Sequence, residues 1–216
     1  MPTDSYALQD LRFVSYDAQN AANIFSHLHY LRSARAGSKN YALVDPLHGR
    51  PVSLCSVSPL EWSVVGRQLR SQFGVLPERV WDVSRVYSFD LAPANAISFL
   101  LAKVRTAVRQ SEPTAELLVT AVDPNLGFTG SSYRAANWQQ WMAIRARPYL
   151  YLDRRYVSPR KLREGYGTAN LAEVRAQSGA IVEQSRATLL NSAIYCCRIK
   201  GETEVVPAGD QRLLRR

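Results

Sequence analysis

Residues Glu116–Trp138, ELLVTAVDPNLGFTGSSYRAANW, decide the fold, because they read as a buried strand, a tight loop, and a helix that opens on small residues and ends in an aromatic. The apolar run Leu117–Val122 is too short for a typical helix and enters Asp-Pro-Asn-Leu-Gly, a strong turn signal. Gly127, Gly130, Ser131 and Ser132 let the next backbone segment approach a ligand closely. Such a unit builds a site at the carboxyl end of its strand. Tyr133 is the first large polar side chain after the loop, and on the opening turn of the helix it can donate a proton to a leaving group. The competing reading is that Tyr133 and Trp138 pack against the sheet, since aromatic spacing on a helix usually marks core.

Upstream lies a second unit of the same kind. Val80–Phe89 (VWDVSRVYSF) alternates and is rich in β-branched and aromatic residues, as a strand requires. After Asp90–Asn95, the segment Ala96–Gln110 carries Ile97, Leu100, Leu101, Val104 and Val108 as a helical apolar stripe. Further out, Arg12–Tyr16 reads as a strand and Asp17–Leu31 as a helix capped by Asp17. Lys39–Asp45 and Pro51–Val57 form an antiparallel hairpin, with His48 as turn surface, and Glu61–Phe73 is an amphipathic helix stopped by Gly74. Beyond Trp138 the pattern is less regular: a hairpin around Asp153-Arg154, a short basic helix Pro159–Tyr166, a closing strand Ala193–Ile199 and a mobile tail Arg212–Arg216. The order predicts an α/β (α+β) protein with a mixed sheet flanked by helices.

The 216 residues, 46% hydrophobic, suffice for one domain or one domain plus a small appendage, and a single domain over 1–216 is expected, with a basic portion from about residue 145. No apolar stretch reaches membrane-span length, and the N-terminal MPTDSYALQD has neither a basic start nor an apolar signal core, so a cytoplasmic protein is expected. Cys55, Cys196 and Cys197 suggest buried thiols, with the adjacent pair on opposite faces of a strand, and neither a disulfide framework nor structural zinc. The 27 Lys and Arg against 18 Asp and Glu leave a net charge of +9, which favours a polyanionic partner. Arg145, Arg147, Arg154, Arg155, Arg160, Lys161 and Arg163, interleaved with Tyr149, Tyr151, Tyr156 and Tyr166, combine backbone neutralisation with base stacking. A solvated basic face is the alternative.

The two consecutive units resemble the centre of the GNAT acyltransferase superfamily. The resemblance implies a mostly antiparallel sheet in which one strand splays from its neighbour to admit the pantetheine arm of acyl-coenzyme A. It also implies a phosphate-binding start to the helix that follows the first strand. The glycine-rich loop of that superfamily is absent; Ala92-Pro93-Ala94-Asn95-Ala96 stands in its place, small but with one amide lost to proline. Within the superfamily, His29-Tyr30, Ser84-Arg85, and Asp123 with Gly127, Gly130, Tyr133, Ala136, Asn137 and Trp138 resemble the Mom-type DNA-modification proteins over about residues 25 to 165. Phe128 departs from that motif, which has a histidine there. The resemblance implies transfer of an acyl or carbamoylmethyl-type group to the amine of adenine in DNA. A second class fits the same features: enzymes that take the acyl group from aminoacyl-tRNA, where RNA contacts replace coenzyme contacts. A third is a nucleic-acid-binding protein without catalysis on this scaffold.

Acyl transfer to an amine needs a neutral amine, a polarised carbonyl and a proton for the leaving group. Backbone amides of Val86, Tyr87 and Ser88 are the expected polarising donors, with Ala92, Ala94, Asn95, Ala96, Gly130 and Asn137 completing the donor site. Tyr133 is the expected acid, His29 or Asp123 the acceptor of the amine proton, and Ser84 and Arg85 complete the catalytic set. Arg85, inside an apolar strand, must either reach solvent or pair with an anion. On a helix His27 and His29 diverge; extended, they and Asp123 would make a weak metal site, and no metal is predicted.

Overall fold

The computed structural model describes residues 6–207 and 212–214. Its strands are β1 (Arg12–Ser15), β2 (Lys39–Val44), β3 (Pro51–Pro59), β4 (Val80–Ser88), β5 (Leu117–Val122), β6 (Gln139–Ile144), β7 (Leu150–Leu152), β8 (Arg155–Val157), β9 (Val182–Gln184), β10 (Ser192–Arg198) and β11 (Arg212–Leu214). Its helices are α1 (Ala18–Leu28), α2 (Ser63–Phe73), α3 (Ala96–Ser111), α4 (Ser131–Ala135), α5 (Pro159–Tyr166) and α6 (Leu171–Ser178). The chain divides into two compact units, Met1–Ile144 with Ser192–Arg216, and Arg145–Asn191.

In the first unit eight strands run in the order β1-β2-β3-β4-β5-β10-β6-β11. All neighbours are antiparallel except β4 with β5 and β6 with β11. Strand alternation sends Tyr41, Leu43, Trp81, Val83, Leu118 and Val122 to one face, where the stripe Leu100, Leu101, Val104 and Val108 of α3 covers them. Ala42, Val44 and Leu54 go to the opposite face under Ala21 and Phe25 of α1, and Val80, Leu117 and Val119 go under Val65 and Leu69 of α2. Cys196 and Cys197 fall in the two different cores, both as free thiols.

The ends of these elements follow from local chemistry. Asp17 caps α1 by accepting from the Asn20 amide at 2.8 Å, and Gly74 ends α2 at φ 66°. Asp45, 1% exposed, ties the β2–β3 hairpin by accepting from the amides of Leu47, His48 and Arg50, and those bonds hold its carboxyl below the ordinary range.

The pairing of β4 with β5 positions the site. It spans only Val80–Leu117, Trp81–Leu118 and Asp82–Val119, although β4 continues to Ser88 and β5 to Val122. On its other edge β4 stays paired with β3, but a register shift opposite Ser56 and Val57 makes Ser84 an extra residue. Such a bulge bends its strand and increases its twist, which turns β4 away from β5.

The second unit is a three-stranded sheet, β8-β7-β9, with α5 and α6 packed through Leu162, Val174 and Val182. Asp153 (φ 48°) and Arg154 (φ 64°) form the tight β7–β8 turn, and Ser158 caps α5 through the Lys161 amide at 3.2 Å. This unit holds nine Lys or Arg against four Asp or Glu.

Several expectations are corrected. The helix opening at Ser131 ends at Ala135, and Trp138, 2% exposed, leads into β6, which the sequence reading does not include. β10 does not close an edge; it lies between β5 and β6. α6 and β9 are additional elements. Arg212–Leu214 of the expected mobile tail is a strand parallel to β6, while residues 215–216 lie outside the described residues, as do residues 1–5 of the N-terminal segment. Among the described residues no helix is long and apolar enough to cross a membrane.

The small core of the second unit makes a test. Leu162→Ala removes a fully buried side chain, a change that costs roughly 2–5 kcal/mol. Hydrogen exchange should then accelerate across residues 145–191 and stay unchanged in α3 and β5; uniform acceleration through both units would contradict separate cores.

Candidate active site

Where β4 and β5 part, a cavity of about 240 Å³ opens between them. Its walls come from His29-Tyr30 after α1, β4 (Val83–Val86), Ile97 of α3, and the single stretch that runs from β5 (Thr120–Val122) through residues 127–133. Four segments distant in sequence therefore meet at one place, and Tyr133, His29, Ser84, Arg85, Val86 and Gly130 all line it. Thr120, which sequence reasoning missed, donates its hydroxyl to the Val83 carbonyl at 2.9 Å across the parting strands.

His29 is 6% exposed, just past the end of α1. Burial, and then the positive charge of Arg85, lower its pKa to about 4. Its Nδ1 accepts from the Leu31 amide at 3.2 Å, so the neutral ring carries its proton on Nε2. His27 instead remains exposed on α1, with Nδ1 against the Asn23 carbonyl at 2.8 Å. Among the described residues no group of three or more His, Cys, Asp or Glu side chains could hold a metal ion.

Arg85, partly exposed where it lines the cavity, is held by backbone and side-chain acceptors. Its Nε donates to the Ser33 carbonyl at 2.8 Å, one terminal nitrogen to Ser33 Oγ at 3.0 Å, and the other to the Ser84 carbonyl at 2.6 Å. These bonds use three of five donors and fasten the segment after α1 to the bulged strand. Arg35, from the same segment, adds ion pairs to Asp82 at 2.8 Å and Glu61 at 2.7 Å. Burial still raises the Asp82 carboxyl to about 6, against the opposing pull of Arg35.

Tyr133 packs against the α3 core, with Tyr195 stacked at 5.8 Å and Trp138 edge-on at 5.4 Å. Its hydroxyl shares a hydrogen bond with Thr120, and burial pushes its pKa well above the ordinary phenol value, which keeps the proton in place at neutral pH. Tyr133 thus packs on the core and also lines the cavity, whereas Trp138 is core. Gly130 (φ 73°) is required by close approach: a Cβ there would lie 2.5 Å from the Tyr195 hydroxyl oxygen. Arg134 donates to that hydroxyl at 2.8 Å and to the Thr129 carbonyl at 2.7 Å, fixing the loop before α4. Asp123 does not line the cavity; its carboxylate accepts from the Asn125 amide and side chain, at 3.0 and 2.7 Å, and shapes the turn after β5.

Two further cavities surround the start of α3. One, of about 260 Å³, is lined by Ser88, Ala92, Pro93, Asn95, Ala96, Ile97, Ser98 and the Ser131-Ser132 start of α4. The other, of about 520 Å³, includes Asn137 with Arg105 and Arg109, one turn apart on α3. Ala94 lines neither, and Tyr87 packs on the α1 side of the sheet, against Phe89 at 5.0 Å. Asn95 takes φ 66° where glycine would be usual, and its side chain does not cap α3. The uncapped α3 terminus and its small neighbours fit a pyrophosphate, the parting strands fit a pantetheine arm, and the arginine pair fits a further phosphate. The residues present therefore fit an acyl-coenzyme A.

In the second unit Arg145, Arg147, Arg154, Arg155, Arg160, Lys161 and Arg163 are all exposed. Arg160 pairs with Glu164 at 2.7 Å. Tyr149 and Tyr156 meet edge-on at 5.8 Å, while Tyr166 packs on the Leu162 core.

The fold has known counterparts. A protein of Salmonella typhimurium described as an acetyltransferase, solved with its cofactor acetyl-CoA, aligns over 90% of this chain and 97% of its own, with 9% identity and a TM-score of 0.50. An N-acetyltransferase from Staphylococcus aureus covers 88% of this chain and 99% of its own at 9% identity, TM-score 0.48. The ribosomal-protein-S5-alanine acetyltransferase of Vibrio fischeri covers 93% and 99% at 7% identity, TM-score 0.49. The sheet with its parted parallel pair is thus a GNAT fold, as expected. No curated protein matches the sequence. The sequence does match the Mom protein family over residues 10–195, from before β1 into β10, and the chain belongs to that family.

Proposed function

We propose that the chain is an acyltransferase that transfers an acyl or carbamoylmethyl-type group to the exocyclic amine of adenine in DNA. The observation that carries this reading is the convergence of Tyr133, His29, Ser84 and Arg85 on a cavity at the parting of β4 and β5, in a chain of the Mom family. A bound acyl-coenzyme A would supply an activated carbonyl. Backbone groups of Val86 and Ser88, on the β4 edge that β5 leaves unpaired, would hold its arm, and the first amides of α3 with Ser131 and Ser132 its pyrophosphate. Arg105 and Arg109 would meet its remaining phosphate.

In this reading Tyr133 keeps a proton for the leaving group. His29, with its proton on Nε2, serves as a hydrogen-bond donor to developing negative charge instead of accepting the amine proton; after Tyr133 has protonated the leaving thiolate, its phenolate takes the proton that the amine nitrogen sheds. Arg85 and Asp123 act as positioning residues, one holding the segment that carries His29, the other the turn that leads to Gly130. The exposed arginines of the second unit neutralise DNA phosphates, and the adenine leaves the helix to reach the cavity. The charged-tRNA alternative has no separate observation in its favour.

Tyr133→Phe should lower turnover roughly 10²- to 10⁴-fold with DNA affinity unchanged, measured as modified adenine in nuclease-digested DNA by mass spectrometry. Unchanged turnover would remove Tyr133 from the chemistry, and a chain that binds DNA without modifying it would favour the non-catalytic reading. A second expectation follows from the lowered pKa of His29. An ordinary histidine would gain a proton near pH 6.5, whereas this ring stays neutral until about pH 4. The kcat/KM profile should therefore lack a His29 limb between pH 5 and 8. A limb near 6.5 that disappears in His29→Gln would contradict the buried neutral donor.

A further inference from the structure

Most large apolar side chains of the first unit are covered, yet two aromatic rings stand exposed at the lip of the Tyr133 cavity: Tyr30, 45% exposed, and Phe128, 46% exposed. They come from different loops, one after α1 and one after β5, and meet with ring centroids 5.4 Å apart and planes at 49°. Leu28 and Leu126, two residues before each ring, are also exposed, at 49% and 42%. An exposed apolar cluster at the mouth of a cavity marks a surface that contacts a ligand or partner.

The rings are also held firmly from below. Tyr30 lies on His29 at 4.4 Å, and His29 meets the fully buried Phe25 edge-on at 5.8 Å. A continuous ladder of rings thus runs from the core to the lip. The loop bearing Tyr30 is fastened by Arg85 through Ser33, and the loop bearing Phe128 is shaped by Asp123 and by Gly127 at φ 81°. Phe128 has no hydrogen-bonding group, so its contribution at the lip is its ring face alone.

We infer that Tyr30 and Phe128 form a stacking platform that receives the extrahelical purine at the mouth of the cavity. The inference rests on the DNA-modification reading and adds to it the residues that grip the base. Rings accept any base by its face, so the platform holds the base at the lip, and the cavity behind it receives the edge that bears the amine.

The test compares two duplexes of one sequence, one with a central adenine opposite an abasic site and one fully paired, titrated with the full chain by fluorescence anisotropy at fixed salt. Phe128→Ala should weaken binding of the first duplex by roughly tenfold or more and leave the second within about twofold, because stacking is lost and phosphate contacts are kept. Phe128→Leu, which keeps apolar area without a ring, should behave like Phe128→Ala, and Phe128→Trp should retain the affinity. Equal losses on both duplexes, no loss on either, or full retention by Phe128→Leu would overturn the platform and leave the DNA reading standing. A wild-type chain that binds neither duplex would overturn both.

Discussion

Three residue pairs, Val80–Leu117, Trp81–Leu118 and Asp82–Val119, hold β4 to β5, and the candidate site depends on the pairing ending there. A fourth pair would close the cleft. Thr120 stands at the fork and spends its hydroxyl on the Val83 carbonyl, so one backbone acceptor exposed by the separation is satisfied without drawing the strands together. The extra residue Ser84 bends β4 on its other edge. The cleft is therefore a product of strand geometry.

A site made from four distant segments needs them fixed, and arginines do much of that work. Arg85 secures the segment after α1, Arg35 ties the same segment to Asp82 and Glu61, and Arg134 joins the Thr129 loop to Tyr195. Each uses guanidinium donors fixed in one plane to satisfy several acceptors at once, a geometry that a lysine ammonium does not hold. Part of the +9 charge is consequently structural. The excess positive charge of residues 145–191 is different in kind, because the seven basic residues singled out there by sequence are all exposed.

Much of the fold was legible because its signals are local. The stripe of α3, the Gly74 stop, the Asp17 cap and the Asp153-Arg154 turn need no tertiary partner to be recognised. β6 escaped because Gln139-Gln140-Trp141-Met142-Ala143-Ile144 does not alternate cleanly, and only its place between β10 and β11 gives it strand pairing. The position of β10 inside the sheet is likewise a long-range fact. At the site, the motif residues Tyr133, His29, Ser84, Arg85 and Gly130 were visible as residue types, but their bonds were not. The direction of the His29 proton depends on one backbone amide, and the task of Arg85 depends on Ser33, fifty-two positions away in the chain. Thr120, Arg134 and Tyr195 carried no motif, although Tyr195 could have been suspected as the one aromatic in the apolar run Ala193–Ile199.

The most direct test of the account is hydrogen exchange of the full chain with and without acetyl-coenzyme A. The parted-strand cleft predicts protection of the backbone at Val86–Ser88 and at the first turn of α3, with exchange across residues 145–191 unchanged. Protection elsewhere, or none at saturating ligand, would contradict the assignment of this cleft as the donor site.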